Sequence, residues 1–216
     1  MAKKNGRAIY KDNDGIRLPG VTTITGDLGW NTQILVNWAN RLGLKGINST
    51  TYVDDKADIG TLGHQLVLDH FRKIDTDTSD YTANQIDLAE NCLMSYWAWE
   101  RGKEIKPIIM EQPLVSELLK FGGTPDMYAE IDGRKTLLDL KTGKGVYDEY
   151  KIQVAGGYLL LLEEHGYLVE DIVILNIPRA EDEAFIAQPI HKWDVCKKIF
   201  LNCLNNYNLK KLLKGE

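Results

Sequence analysis

The sequence is poor in cysteine, has no long apolar run and carries no surplus of positive charge, and each shortage closes off a class of function. Three cysteines, Cys92, Cys196 and Cys203, occur in 216 residues with no C-x-x-C spacing. They are too few for a four-cysteine cluster, and an odd count suits a reducing compartment better than a disulfide framework. No stretch approaches the roughly 18 apolar residues of a membrane span, and Leu159 to Leu162 is only a short leucine run. The opening MAKKNGRAIYK is basic but has no apolar segment behind it, unlike a secretory signal. The expectation is a soluble, cytoplasmic protein with no membrane partner. A net charge of −5 gives no global basic field. A nucleic acid would therefore have to be met by a local patch or through metal ions.

What is present is ordinary for a globular protein: 44% hydrophobic and 26% charged residues, which excludes disordered and collagen-like classes. There is no internal repeat or linker, so residues 1–216 read as a single domain, with a core over about 53–190 and a closing helix over 191–214. Residues 7–26 read as extended segments around Pro19-Gly20, with Val21 to Thr25 β-rich. Ile34, Leu35, Trp38, Ala39 and Leu42 keep a helical spacing over 31–42. A further helix over roughly 53–73 carries Ala57, Gly60, Thr61, His64, Leu68 and Phe71 on one stripe, and another spans about 83–102. Residues 105–115 read as a strand, 148–164 as a helix, and 169–178 and 183–190 as strands. This order predicts an α/β fold with a central mixed β-sheet flanked by helices on both faces.

The stretch from Gly122 to Lys144 organises the rest. Asp132-Gly133 is a preferred two-residue turn, because a type I′ turn needs φ > 0 at both central positions. That turn fixes a register in which Ile131 faces Arg134, Glu130 faces Lys135, Met127 faces Leu138 and Asp126 faces Asp139. The last pair falls at a non-hydrogen-bonded position, where opposed Cβ atoms sit roughly 4.5–5.5 Å apart. Two like charges so placed are unfavourable, and a divalent cation between them removes the conflict. Lys141 lies two residues beyond Asp139, hence on the same face and about 6–7 Å along the strand.

Other residues could join this centre. His64 falls on the inward helix face, one turn after two small residues. It reads either as a core histidine bonded to a carbonyl or as a neutral imidazole ligand, and the hairpin downstream favours the ligand. Glu111 is either a further acidic ligand or one half of an ion pair at the sheet. Two carboxylates and a backbone carbonyl suit Mg²⁺, which prefers hard oxygen ligands. A lysine beside them can orient water or stabilise developing negative charge. Such a centre suits phosphodiester hydrolysis, where a metal acidifies water and neutralises phosphoryl oxygens.

Pro125-Asp126, a gap of twelve, then Asp139-Leu140-Lys141 resembles the signature of the PD-(D/E)XK nuclease superfamily. Upstream, Ile59-Gly60-Thr61 with His64 is similar to the histidine motif of its RecB-like branch. Downstream, Gln153-Val154-Ala155 is similar to that branch's glutamine motif. Leu18-Pro19 with Val21-Thr22-Thr23 resembles the N-terminal segment of phage exonucleases and of the mitochondrial genome-maintenance exonuclease. The resemblance runs in family order over most of residues 18–160.

It implies a restriction-endonuclease-like core and a metal-dependent DNA exonuclease working in phage recombination or replication, inside the host bacterium's cytoplasm. It implies Mg²⁺ or Mn²⁺ held by His64, Asp126, Asp139 and the Leu140 carbonyl. Lys141 would be the catalytic lysine, and Gln153 would position substrate or the lysine. Thr142, Lys144, Tyr150, Lys151 and Tyr158 are candidate substrate contacts. A single-strand annealing protein is the partner it implies beside DNA, and an oligomer fits the family. The cysteines of the branch's iron–sulfur members are missing, so no cluster is expected. The family's tyrosine four residues after the glutamine is here Gly157, with Tyr158 one further on. On a regular helix Tyr158 points about 140° away from Gln153. Either the Gly156-Gly157 pair permits a π-bulge that resets the register, or Tyr150 substitutes from one turn earlier. Two competing readings keep the fold: a structure-specific endonuclease, and a catalytically silent nucleic-acid-binding protein.

Overall fold

The structure, a computed structural model, describes residues 8–215. Its centre is a five-stranded sheet built from β3 (Ile105–Met110), β6 (Met127–Ile131), β7 (Arg134–Lys141), β8 (Asp171–Asn176) and β9 (Ile186–Pro189), side by side in that order. The β3–β6, β6–β7 and β8–β9 pairs are antiparallel and β7–β8 is parallel. The sheet is therefore mixed. A parallel pair needs a crossover, and the helical segment 148–164 supplies it. Pro107 and Pro189 lie on the two edge strands, where a missing N–H costs no ladder bond.

Side chains alternate between two packed faces. Tyr128, Leu137, Ile172 and Ile174 join one core cluster, with Val21, Ile24, Leu159, Leu161 and Phe200. Met127, Ala129, Leu138, Leu140 and Leu175 join the other, with Val67, Leu68, Cys92 and Tyr96. On the first face pack α1 (Val21–Thr25), the crossover helix and α7 (Trp193–Lys214). On the second pack α3 (Ser49–Arg72) and α4 (Ala83–Glu100). No helix among the described residues is long and apolar enough to cross a membrane.

Three sequence expectations change. Val21 to Thr25 is helical, not extended. Val21 and Ile24, three residues apart, bury their side chains almost completely. Burying each is worth about 1.5–3 kcal/mol, against roughly 0.7 kcal/mol or less per residue for poor helix propensity. Burial wins. The strand expected over 105–115 breaks at Glu111, whose φ of 47° is left-handed. The chain resumes as β4 (Leu114–Ser116), paired with β5 (Phe121–Gly123) in a separate ribbon. Finally, the helix at 31–42 forms as α2 (Thr32–Leu44), but it buries none of its residues. Ile34 and Leu35 are 63% and 59% exposed. Trp38, Ala39 and Leu42 of the same stripe are half-buried, and Trp38 meets Tyr52 of the next helix.

Candidate metal centre and cleft

The hairpin register agrees with the sequence from Ile131↔Arg134 to Met127↔Leu138. Asp132 and Gly133 both hold positive φ, 50° and 82°, as the turn demands. One residue further, this register sets Asp126 opposite Asp139. β6 ends there, because Pro125 has no N–H to continue the ladder. The Asp126 carboxylate takes over instead: Oδ2 accepts the Leu140 N–H at 2.8 Å. The alternation along β7 turns the Leu140 carbonyl to the same side. Both acids and Lys141 lie on the face that carries Tyr128 and Leu137.

Side-chain exposure falls from 26% at His64 through 19% at Asp126 and 16% at Lys141 to 1% at Asp139. Asp139 is thus the floor, and the others reach the opening above it. His64 Nδ1 stands 3.9 Å from Asp126 Oδ2. Lys141 Nζ stands 2.5 Å from Asp139 Oδ2 as an ion pair. Asp139 Oδ2 is thus held by the ammonium, while the buried Oδ1 meets no hydrogen-bond donor.

Charge states follow from these contacts. Burial pushes the Asp139 carboxyl up to about 6; the Lys141 ammonium opposes the shift and the Asp126 charge adds to it. Burial also raises Asp126, against Lys141 and the Leu140 N–H. Burial alone would lower the Lys141 ammonium, but Asp139 and Asp126 outweigh it and keep the lysine protonated. Burial, helped by the Lys141 charge, pulls His64 down to about 4, leaving a neutral imidazole with a lone pair to offer.

Among the described residues no three His, Cys, Asp or Glu side chains converge into a ready-made metal cage. The donor set still fits a hard cation. A carboxylate buried to 1% exposure with one oxygen lacking a donor is costly, and a neutral imidazole, a second carboxylate and a backbone carbonyl lie around it. Glu111 stands apart, bound by Arg72 Nη2 at 3.1 Å. Its backbone N–H donates to the Asp126 carbonyl at 3.0 Å.

Gln153 and Tyr158 meet. Between α5 (Asp148–Ile152) and α6 (Leu159–Glu164) the crossover helix makes a π-helical turn over Gln153–Tyr158. Gln153 Nε2 donates to the Tyr158 hydroxyl at 2.8 Å. Of the two alternatives, the register reset is therefore present. Tyr150 is close as well, with Lys141 Nζ 5.2 Å from its ring centroid. The small residue before His64 acts as expected: a Cβ at Gly60 would come within 2.6 Å of Thr142 Oγ1, so α3 presses directly on the end of β7.

Above the centre opens a cleft of about 600 Å³ whose walls include Gly60, His64, Lys141, Thr142, Lys144 and Tyr150. Lys144 is engaged by Asp182 at 3.1 Å and Lys151 by Asp148 at 2.7 Å, both at the surface.

No protein-family model matches the chain, and no curated protein matches it. Among solved structures, several are similar at a distance, two of them as follows. One is the crystal structure of a candidate exonuclease from Eubacterium rectale, with 13% identity and a TM-score of 0.45, covering 73% of this chain and 68% of that one. The other is the crystal structure of the protein SSO0001, with 13% identity and a TM-score of 0.33, covering 67% and 84%. Neither likeness is near enough to argue from, and the site stands on its own geometry.

Sequence reasoning missed Trp38, Tyr52, Lys56 and Arg179, which also line the cleft. Arg179 could only be found in the fold, where it donates to the Lys56 carbonyl at 3.2 Å and pairs with Glu183. Tyr52 and Lys56 had a legible signal, since they continue at four-residue spacing to Gly60 and His64.

Proposed function

We propose that this chain is a divalent-metal-dependent nuclease with a PD-(D/E)XK core, hydrolysing phosphodiester bonds at DNA ends. The observation that carries the reading is the buried Asp139 carboxylate, paired with a protonated Lys141 through one oxygen and without a donor on the other, with Asp126 on the same sheet face. His64, Asp126, Asp139 and the Leu140 carbonyl would hold Mg²⁺ or Mn²⁺, which in such sites acidifies a water and neutralises phosphoryl oxygens. Lys141 brings a fixed positive charge to the negative charge that develops on the phosphate. Its protonation is maintained by the same two acids that would hold the metal. Gln153, tied to Tyr158, presents its amide from the adjoining helix to orient substrate or the lysine. Thr142, Lys144 and Tyr150, which line the cleft, are assigned to substrate contacts, whereas Lys151 lies outside that lining and is paired with Asp148. Glu111 is assigned to holding the Asp126 strand end rather than to the metal, because Arg72 already engages it. Action in phage recombination or replication within a bacterial cytoplasm, and an annealing protein as partner, rest on the sequence resemblance alone.

The test uses end-labelled linear, nicked-circular and single-stranded DNA, incubated with Mg²⁺, Mn²⁺ or EDTA. Metal-dependent loss of linear DNA with circles spared is the expected result. Cut circles would assign an endonuclease instead, and no cleavage with any metal would leave a binding protein. Lys141→Ala is expected to lose cleavage by at least about a hundredfold, the usual scale for one transition-state stabiliser. Wild-type rates in that variant would remove Lys141 from the mechanism.

A further inference from the structure

Along α3, Tyr52, Lys56, Gly60 and His64 recur every four residues, a row that winds around the helix by about 40° per step. All four line the cleft, from the solvent-exposed Tyr52 to His64 at the metal centre. Its outer end is aromatic. Tyr52 is 39% exposed, and Trp38 of α2 meets it edge to face with ring centroids 5.9 Å apart. Lys56 Nζ lies 5.8 Å from the Tyr52 ring centroid and forms no ion pair among the described residues. Its charge is therefore available to a ligand. An exposed ring with a free ammonium one turn deeper is the pairing that holds a base by its face and the next phosphate by its charge.

The geometry points to a track for an unpaired strand: a single-stranded nucleic-acid end whose base stacks on Tyr52 and Trp38, whose backbone passes Lys56, and whose scissile phosphate reaches His64 and Lys141. A duplex hides its base faces inside the stack and would leave these rings without a partner. From Tyr52 to His64 is twelve residues, about 18 Å of helix. At the stacked spacing of about 3.4 Å per nucleotide, the gripped base lies at most about five nucleotides from the reacting phosphate. The assignment rests on the nuclease reading only for what happens at the inner end.

Binding can be measured apart from cleavage. Fluorescein-labelled oligo(dT) and a blunt hairpin duplex are titrated, in EDTA, with wild type and with Tyr52→Ala, Tyr52→Phe, Trp38→Ala and Lys56→Ala. Anisotropy gives the affinities. The wild type should prefer oligo(dT) by tenfold or more. Tyr52→Ala should lose at least about fivefold for oligo(dT), the lower end for one stacked base, while Tyr52→Phe keeps its affinity. Lys56→Ala should lower the slope of log affinity against log salt by about 0.7, the share of one phosphate on a single strand. Equal or tighter duplex binding, or an unchanged Tyr52→Ala, overturns the track even if the enzyme cleaves DNA. Ring-dependent oligo(dT) binding by a protein that cleaves nothing keeps the track and removes the nuclease. Absence of binding to either probe overturns the track, and the nuclease reading is then decided by the cleavage test alone.

Discussion

Tyr158 reaches Gln153 because the helix between them takes an extra residue into one turn, which brings positions five apart to the same side. The hydroxyl it presents is buried beside two acids, and burial, with Asp139 and Asp126 adding to it, holds its pKa well above the ordinary tyrosine value. It therefore stays protonated and neutral. A double-mutant cycle of Gln153→Ala and Tyr158→Phe, followed by chemical unfolding, should show a coupling of about 0.5–1.5 kcal/mol, the net scale of one hydrogen bond. Strict additivity would mean that the pair is not bonded in solution. At this scale the sequence was legible in identity and mute in geometry. Gln153 and Tyr158 could be named, whereas the choice between Tyr158 and Tyr150 needed the turn itself. Glu111 was likewise visible as an acid, but Arg72, thirty-nine residues away, decided its partner.

The π-helical turn is held by what packs on it. A Cβ on Gly156 would lie 2.8 Å from the Cys196 carbonyl oxygen of α7, and one on Gly157 would lie 2.6 Å from Val21 of α1. Alanine in a helix normally gains about 1 kcal/mol over glycine, while overpacking costs ~1–3 kcal/mol. The obstacle at Gly156 is backbone, which cannot swing aside, so the cost should win. Gly156→Ala is expected to lower the urea midpoint with an unchanged slope; a raised midpoint would contradict the packing. At the C-terminal end of α3, Asp69 accepts hydrogen bonds from Gln65, Arg72 and Thr76 at 2.7, 3.1 and 2.9 Å. Burial pushes its carboxyl up, but these bonds and the Arg72 charge outweigh it and leave the pKa below the usual value of 3.8. The folded-state pKa is depressed, so the stabilisation is complete above the unfolded-state value and is lost as pH falls through the folded one. Wild type should therefore lose stability below about pH 4 more steeply than Asp69→Asn, which should already be weaker at neutral pH. Parallel acid limbs in urea unfolding at stepped pH would rule this out.

For the molecule as a whole, the sheet divides two layers of core, and the centre forms where strand ends from one layer meet α3 from the other. His64 comes from α3, the acids and Lys141 from the hairpin, and Gln153 from the crossover helix. A cation held across these elements binds only the folded chain. Mn²⁺ at a hundredfold excess over its dissociation constant should raise the unfolding free energy by about 2.7 kcal/mol. EDTA should remove the gain, and His64→Ala should shift the Mn²⁺ concentration needed upward in a calorimetric titration. Equal unfolding curves with Mn²⁺ and with EDTA would argue against any metal at this centre.

The sequence by itself determined the hairpin: Asp132-Gly133 permits one tight turn, and that turn dictates every pair down to the two acids. It also determined most helices and strands through their periodicity, because apolar spacing is a local property. Only the tertiary structure decided that Val21 to Thr25 coils, that α2 leaves Ile34 and Leu35 in solvent, that Gln153 touches Tyr158, and that Tyr52 and Lys56 line the way to His64. Each of those depends on what lies opposite in space. A residue's neighbours along the chain carry no record of that surface until the sheet and its two layers bring it there.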